Sequence, residues 1–435
     1  MRYKLLALLL MCSSLLAQAD SYLYFTNNSL QPVTLSTSQT GYTNLVEGVH
    51  WQQLAHTVPA LATVKFLRFN RDEGIKWGKT YYFDTRVSGA DSSMVLRQKL
   101  VGTWNFSEMY FSAENQAWIY DRDYHYLHGA WQNNPATLGM RSQYARTSGD
   151  DIYYVLHPEK PAHAVNNRDN QLSVLTYNTW ALLPGILSFN AGNRLDSIVE
   201  AVRGYDVVAF QEVFDPYLTA RFREQIKKEY PYLTEIPWKL GKILTGGTFI
   251  ASRWPIEQQD SAVYDACTGD GCLAAKGINY AKIRKGSRTY HIFNTHTHAY
   301  TTDTDIAVRM QHLQQLRHFV QDKQIPAQEA VLMAGDFNVD KIHFPQEYSD
   351  FLHILNAAEP EFTPDYAYSY AGPVNHWAED QYTEYLDYVL AEQDHLQPMA
   401  YNNSLHVPRS IAPEHWTTWD LSDHFPVAGE FIFPE

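Results

Sequence analysis

The sequence predicts an α/β domain of mixed β-sheets covered by helices, preceded by a smaller all-β, sandwich-like domain. Three observations carry this reading. A chain of 435 residues is longer than one domain comfortably holds, so two are expected. The first third consists of short, aromatic-rich runs of alternating polarity cut by turn formers, whereas the rest switches between strand-like and helix-like periods. Between them lies HPEKPAHAVNNRDNQ (157–171), with two prolines and few apolar residues, the composition of a linker.

Taken in order, the first element is a leader. Arg2 and Lys4 precede an apolar run from Leu5 to Leu16, and Ala17-Gln18-Ala19 ends it with small residues. This pattern predicts a signal peptide over 1–19, cut before Asp20. It is too short for an anchor, since spanning a bilayer takes about 20 apolar residues. The mature protein is therefore expected to be secreted, either extracellular or periplasmic in transit. Loss of Arg2 and Lys4 takes the formal charge from −14 to −16. Such a balance repels nucleic acid, whose binding rests on Lys and Arg displacing counterions, and no nucleic-acid partner is expected. Of the cysteines, Cys267 and Cys272 remain, separated by Thr-Gly-Asp-Gly. In an oxidising compartment they read as a disulfide closing a small loop, with a two-thiolate metal site as the poorer alternative.

Residues 20–158 form the β-rich accessory domain, with strand runs SYLYF (21–25), TVKFLRF (63–69), KTYYFDTRV (79–87) and EMYFSA (108–113). It shows no catalytic cluster. Either it is an accessory folding domain, or exposed Tyr and Trp make it a surface for a membrane or receptor. The linker is placed at 159–170 and the second domain at 171–435. There Leu195, Ile198, Val199 and Val202 follow a helical spacing before the strand run DVVAF. Met310, Leu313, Leu316 and Val320 mark another helix, ended before Pro326 and followed by AVLMAG.

Five segments of this second domain end apolar runs on polar residues of catalytic type: SVLTYNTW (173–180), VVAFQEVF (207–214), IFNTHTHA (292–299), VLMAGDFNVD (331–340) and LSDHFPV (421–427). A core strand that stops at such a residue delivers it to a sheet edge. Asn178, Glu212, His296, Asp336, Asn338, Asp423 and His424 are delivered this way, and Asp387 in YLDYVL adds a strand-borne carboxylate suited to orienting an imidazole. Hard oxygen donors with histidines point to divalent-cation and acid/base chemistry. Each residue alone has a plainer reading as a turn former, strand end or core histidine. His296 and His298, two apart on a presumed strand, also leave open a two-histidine zinc site completed from DFN or SDH.

The ordered set TYN, FQEVF, THTH, GDFN, LDY and SDHFPV resembles the exonuclease–endonuclease–phosphatase superfamily over about 171–434. Within it, SRWPI (252–256) and ACTGDGCLAAKGINYAKI (266–283) are similar to segments of the secreted bacterial neutral sphingomyelinases. The resemblance implies a four-layer α/β sandwich, two mixed sheets flanked by helices. It further implies Mg²⁺-dependent hydrolysis of sphingomyelin in the outer membrane leaflet to ceramide and phosphocholine, with peripheral membrane contact; Mn²⁺ and Co²⁺ are alternative ions. By position, it implies that Glu212 binds the metal with Asn178 close by. His424, oriented by Asp387, would be the general base. Asp336 and Asn338 would hold the nucleophile and phosphoryl oxygens, His296 would serve the leaving group, and Asp423 would support metal and base. Two departures stand out. The family carries an Asn that helps hold a second, peripheral ion where this chain has Pro216. The family's aromatic membrane hairpin is replaced by QPMAYNNSLHVPRSIAPEHWTTW (397–419), where Met399, Tyr401, Trp416 and Trp419 are the interfacial candidates. The competing readings are an extracellular nuclease of the same fold and a non-enzymatic, lipid- or receptor-binding toxin component.

Overall fold

The computed structural model describes residues 20–435 apart from 43, 105, 146–148, 184–187, 364–365 and 379. The expected leader, 1–19, lies outside the described residues. The chain divides into two compact units, Met1–Lys160 and Pro161–Glu435.

Among the described residues, the first unit is all β. A six-stranded sheet runs in the order Trp51–Gln53, Thr63–Asn70, Asp20–Asn27, Gly149–Pro158, Asn134–Ala145 and His125–Trp131. A five-stranded sheet runs Thr57–Val58, Val33–Gly41, Thr80–Ser88, Ser93–Gly102 and Ser107–Ala113. Their strands alternate buried and exposed residues, as in Thr80–Ser88, because each sheet wets one face. The buried faces share one core that includes Phe25, Phe66, Phe69, Tyr81, Phe83 and Tyr154. Several aromatics stay outside it: Trp77 and Trp104, for example, are exposed and stand edge to face, 5.8 Å apart.

The second unit is built in four layers. A seven-stranded sheet has the order Tyr232–Leu233, Phe249–Ser252, Val207–Val213, Gln171–Ala181, Val427–Ile432, Ala400–Leu405 and Glu361–Thr363. A five-stranded sheet follows Ile256–Val263, Gly277–Lys285, Arg288–His296, Ala330–Asp336 and Asp387–Ala391. Strand Ala330–Asp336 explains how the layers assemble. Its Leu332 and Ala334 pack into the core between the sheets with Val174 and Val207, while Val331 and Met333 face the helices Asp303–Asp322 and Pro345–Leu355. A strand buried on both faces must be apolar throughout, which is why this run shows no alternation. Helices Ala191–Ala201 and Pro216–Ile226 cover the outer face of the seven-stranded sheet through Leu195, Ile198, Phe222 and Ile226. Helix Asp303–Asp322 starts at a reciprocal cap between Thr302 and Asp305.

Lys285 and Asp206 form one of the enclosed ion pairs of the second unit. Lys285 Nζ lies 2.8 Å from Asp206 Oδ2 with both side chains enclosed, and Asp206 also accepts from Ser173 N and Trp254 Nε1. Lys285→Met leaves that carboxylate without its cation and is expected to cost about 3–5 kcal/mol, read by chemical denaturation.

His312, on helix Asp303–Asp322, stacks on Tyr264 at 3.9 Å between ring centres and donates from Nε2 to Ala266 O at the root of the disulfide loop. Burial pushes its pKa down to about 4. Folded His312 is thus neutral where the unfolded side chain binds a proton, so its contribution is complete above about pH 6.5 and is lost as pH falls toward 4. The loss is on the order of 3 kcal/mol. His312→Gln, which keeps a donor but does not titrate, should flatten the slope of stability against pH in that window.

Candidate active site

Strand register assembles the polar residues. His296 and Asp336 end adjacent parallel strands and pair in register, and Asp336 pairs in turn with Asp387 on the next, antiparallel strand. Three catalytic-type side chains therefore stand abreast on one sheet edge. The facing sheet supplies Asn178, paired with Gln211, and beside it Glu212. The turn Ser422–Asp423–His424 is held against this edge by Ser422 Oγ donating to Asn178 O (2.7 Å) and by Asn375 Nδ2 donating to Ser422 O (2.8 Å).

All eight predicted chemical residues converge. Glu212, His296, Asp336, Asn338, Asp423 and His424 line one cavity of about 830 Å³, with Asn178 and Asp387 in contact behind them. His424 Nδ1 lies 2.9 Å from Asp387 Oδ2, and its Nε2 lies 3.9 Å from Asp336 Oδ2. His296 Nε2 lies 3.6 Å from Asp336 Oδ2 and 3.7 Å from Glu212 Oε1. Asn178 Nδ2 donates to both Asp336 Oδ2 (2.9 Å) and Glu212 Oε1 (3.1 Å), while its Oδ1 accepts from Trp180 N. Asn178 thus serves the two carboxylates as a donor, with its oxygen turned away from them.

Backbone strain accompanies this convergence. Trp180, Glu212 and Asn338 all have left-handed φ, between 47° and 57°. Non-glycine residues pay for that conformation, and here three strand ends adopt it where each turns a side chain or the following chain into the cavity.

The electrostatics match a cation. Burial, reinforced by Asp423, pushes the Glu212 carboxyl up to about 7, and burial likewise raises Asp423. Asp387 is raised by burial to about 6. Burial acts to lower the His424 pKa, but Asp387, Asp336 and Asp423 outweigh it and hold the imidazolium well above its usual range. Burial lowers His296 well below it, helped by Lys276. Crowded carboxylates that resist ionisation are the apo signature of a site suited to added positive charge. Glu212, His296 and Asp336 each offer one ligand atom within 4.8 Å of the others; Asp336, Asp387 and His424 do the same. The first group, dominated by oxygen, fits a hard divalent ion. The second contains the Asp387–His424 pair already bonded to each other.

Two expectations are corrected, and one residue is added. The strand through THTH ends at His296, so His298 does not share its face; it bonds Asp305 Oδ1 at 2.9 Å, and the two-histidine zinc site loses its geometry. Lys276, to which the sequence analysis gave no role, stands half-buried in the cavity wall. Its Nζ lies 2.9 Å from His296 Nε2 and donates to Thr297 O at 2.8 Å. The Lys-Gly step before strand Gly277–Lys285 was the available signal: at Gly277 a Cβ would meet Ala262 O at 2.0 Å, so the chain passes close there and fixes where Lys276 points. Trp416 and Trp419 are buried against each other and offer no interfacial surface; of the four interfacial candidates Met399 is the exposed one. Sequence reading also passed over Arg194. It is fully buried and donates to the carbonyls of Phe189, Thr179, Trp180 and Leu421, tying the Asn178 and His424 turns together. Pro216 opens helix Pro216–Ile226, and Asp215 caps it by accepting from Leu218 N at 2.7 Å. The expected disulfide joins Cys267 and Cys272.

Comparison with known proteins agrees with this geometry. Residues 175–424 match the model of the Endonuclease/Exonuclease/phosphatase family, and the chain belongs to that family. Sphingomyelinase C of Bacillus cereus is 32% identical over 305 residues, covering 61% of this chain and 90% of that protein. A phospholipase C of Staphylococcus aureus is 28% identical over 303 residues, covering 60% of this chain and 87% of that one. The crystal structure of sphingomyelinase C from Streptomyces griseocarneus superposes with a TM-score of 0.55 at 26% identity, covering 60% of this chain and 99% of that one. A Staphylococcus aureus beta toxin mutant solved with bound magnesium ions gives a TM-score of 0.54 at 26% identity, over 61% of this chain and all of that one. Within its family the chain is a sphingomyelinase-like phosphodiesterase with candidate metal-binding groups.

Proposed function

We propose that this protein is an exported, Mg²⁺-dependent enzyme that hydrolyses sphingomyelin to ceramide and phosphocholine. The observation that carries the reading is the oriented Asp387–His424 pair facing the Asp336–His296–Glu212 cluster across one cavity. Glu212, positioned by Asn178, would hold the ion together with Asp336 and His296. A divalent ion bound there supplies charge neutralisation to the phosphoryl oxygens.

The chain's own residues account for the remaining tasks. Asp387 holds Nδ1 of His424; once added positive charge offsets the carboxylates that keep this imidazole protonated, its Nε2 would take the proton of the attacking water. Asp336 and Asn338 flank the phosphoryl position; Asn338 N donates to Asp336 Oδ1 at 3.0 Å and holds that carboxylate in place. The Lys276 ammonium, 2.9 Å from His296 Nε2, would favour negative charge at the phosphoryl group and supply the proton that the departing ceramide oxygen takes up, with His296 stabilising the phosphorane-like state beside it. The cavity walls suit the two ends of this lipid. Phe214, Leu244, Leu273 and Ala274 are apolar, whereas Tyr370, Tyr382, Asp380 and Glu384 combine aromatic faces with carboxylates, the chemistry that binds a quaternary ammonium.

The test is a substrate panel of sphingomyelin, lysophosphatidylcholine, phosphatidylcholine and DNA, assayed side by side with Mg²⁺ and with chelator. Phosphocholine release from sphingomyelin that needs Mg²⁺ is the expected result. Equal release in chelator would remove the metal from the mechanism, and preferential cleavage of DNA would replace the substrate.

A further inference from the structure

We propose that the loop Trp238–Ile243, together with Leu273 of the disulfide loop, is the surface by which the catalytic unit docks on a zwitterionic lipid bilayer. The inference rests on the lipid substrate proposed above. The loop reads Trp-Lys-Leu-Gly-Lys-Ile, and Trp238, Leu240 and Ile243 are 60%, 86% and 77% exposed, with Leu273 at 47%. Large apolar side chains clustered at this exposure mark an interaction surface.

Its position identifies the partner. Ile243 N and Leu244 N both donate to Leu273 O at 3.0 Å, so the loop and the disulfide loop form one rim. Leu244 and Leu273 themselves line the cavity that holds Glu212 and His296. The rim is therefore continuous with the apolar wall of the reaction cavity. A lipid leaving its bilayer through this rim meets Leu244, Leu273 and Ala274 on its way to the phosphoryl centre.

Charge narrows the class of surface. Lys239 Nζ sits 3.5 Å from Asp265 Oδ1, and Lys242 Nζ donates to Cys272 O at 2.9 Å. One lysine of the rim is thus paired with a carboxylate, the other keeps its charge on a carbonyl, and the chain as a whole carries −14, so an anionic membrane is disfavoured and a phosphocholine surface is matched. Trp238 suits the headgroup boundary, and the two lysine stems can lie along it with their ammonium groups in water. Segment 397–419 does not compete for this role, since its Trp416 and Trp419 are buried.

The experiment uses the full mature chain in chelator with phosphatidylcholine vesicles, so binding is read without turnover. The triple variant Trp238→Ser, Leu240→Ser, Ile243→Ser, checked for an unchanged melting temperature, is expected to lose at least about tenfold in vesicle partition measured by co-sedimentation. Partition within about twofold of the parent would overturn the proposal. A second measurement places an environment-sensitive dye on Leu240→Cys, where the native cysteines are already paired. A blue shift on adding vesicles supports docking, and an unchanged spectrum overturns it. Detergent-dispersed sphingomyelin assayed in parallel with Mg²⁺ isolates the substrate reading: failure of the parent protein there defeats the proposed activity, whatever the vesicles show.

Discussion

Replacing His424 by alanine is expected to lower sphingomyelin turnover by about 10³–10⁴-fold while leaving the protein folded. The size follows from the geometry. His424 alone joins a fixed Nδ1, 2.9 Å from Asp387, to an Nε2 that faces Asp336 in the cavity, so no neighbour inherits its position. The fold survives because Asp387, already raised by burial to about 6, takes up a proton once its imidazolium partner is gone, and no buried anion is stranded. Circular dichroism and thermal unfolding would establish folding, and phosphocholine release would establish the loss. A variant within tenfold of the parent would remove His424 from the role of base.

Glu212→Gln is expected to abolish turnover to a similar extent, about 10³-fold or more, by removing the charge that would hold the divalent ion. Its separate signature lies in stability. The parent protein should gain thermal stability with added Mg²⁺, in proportion to the logarithm of its concentration above the dissociation constant. The variant should lose that increment. Without metal, the variant should be at least as stable as the parent, because Glu212 is pushed to about 7 by burial and by Asp423, and the amide relieves that repulsion. A variant still stabilised by Mg²⁺ as strongly as the parent would place the ion elsewhere.

Much of this site was legible in the sequence because strands are legible. Runs such as VLMAG and VVAF are apolar on every residue, as a strand buried on both faces requires, and the polar residues that follow each run emerge at the sheet edge. Five such endings specified which side chains could meet. The same logic failed for His298, since a strand's alternating faces apply only while the strand continues, and this one ends at His296. It failed for Trp416 and Trp419 as well: composition suggests an interface, but burial depends on what the rest of the chain lays over a residue.

What the sequence alone determined is the two-part architecture, the family and the set of chemical side chains, because each is written in local periodicity and in residue order. Tertiary structure alone decided that Lys276 sits beside His296, that Arg194 ties two turns together, and that Trp238–Ile243 borders the cavity. Those facts depend on distances between segments far apart in the chain, and a charge or an apolar side chain takes its meaning from the neighbours that folding brings to it.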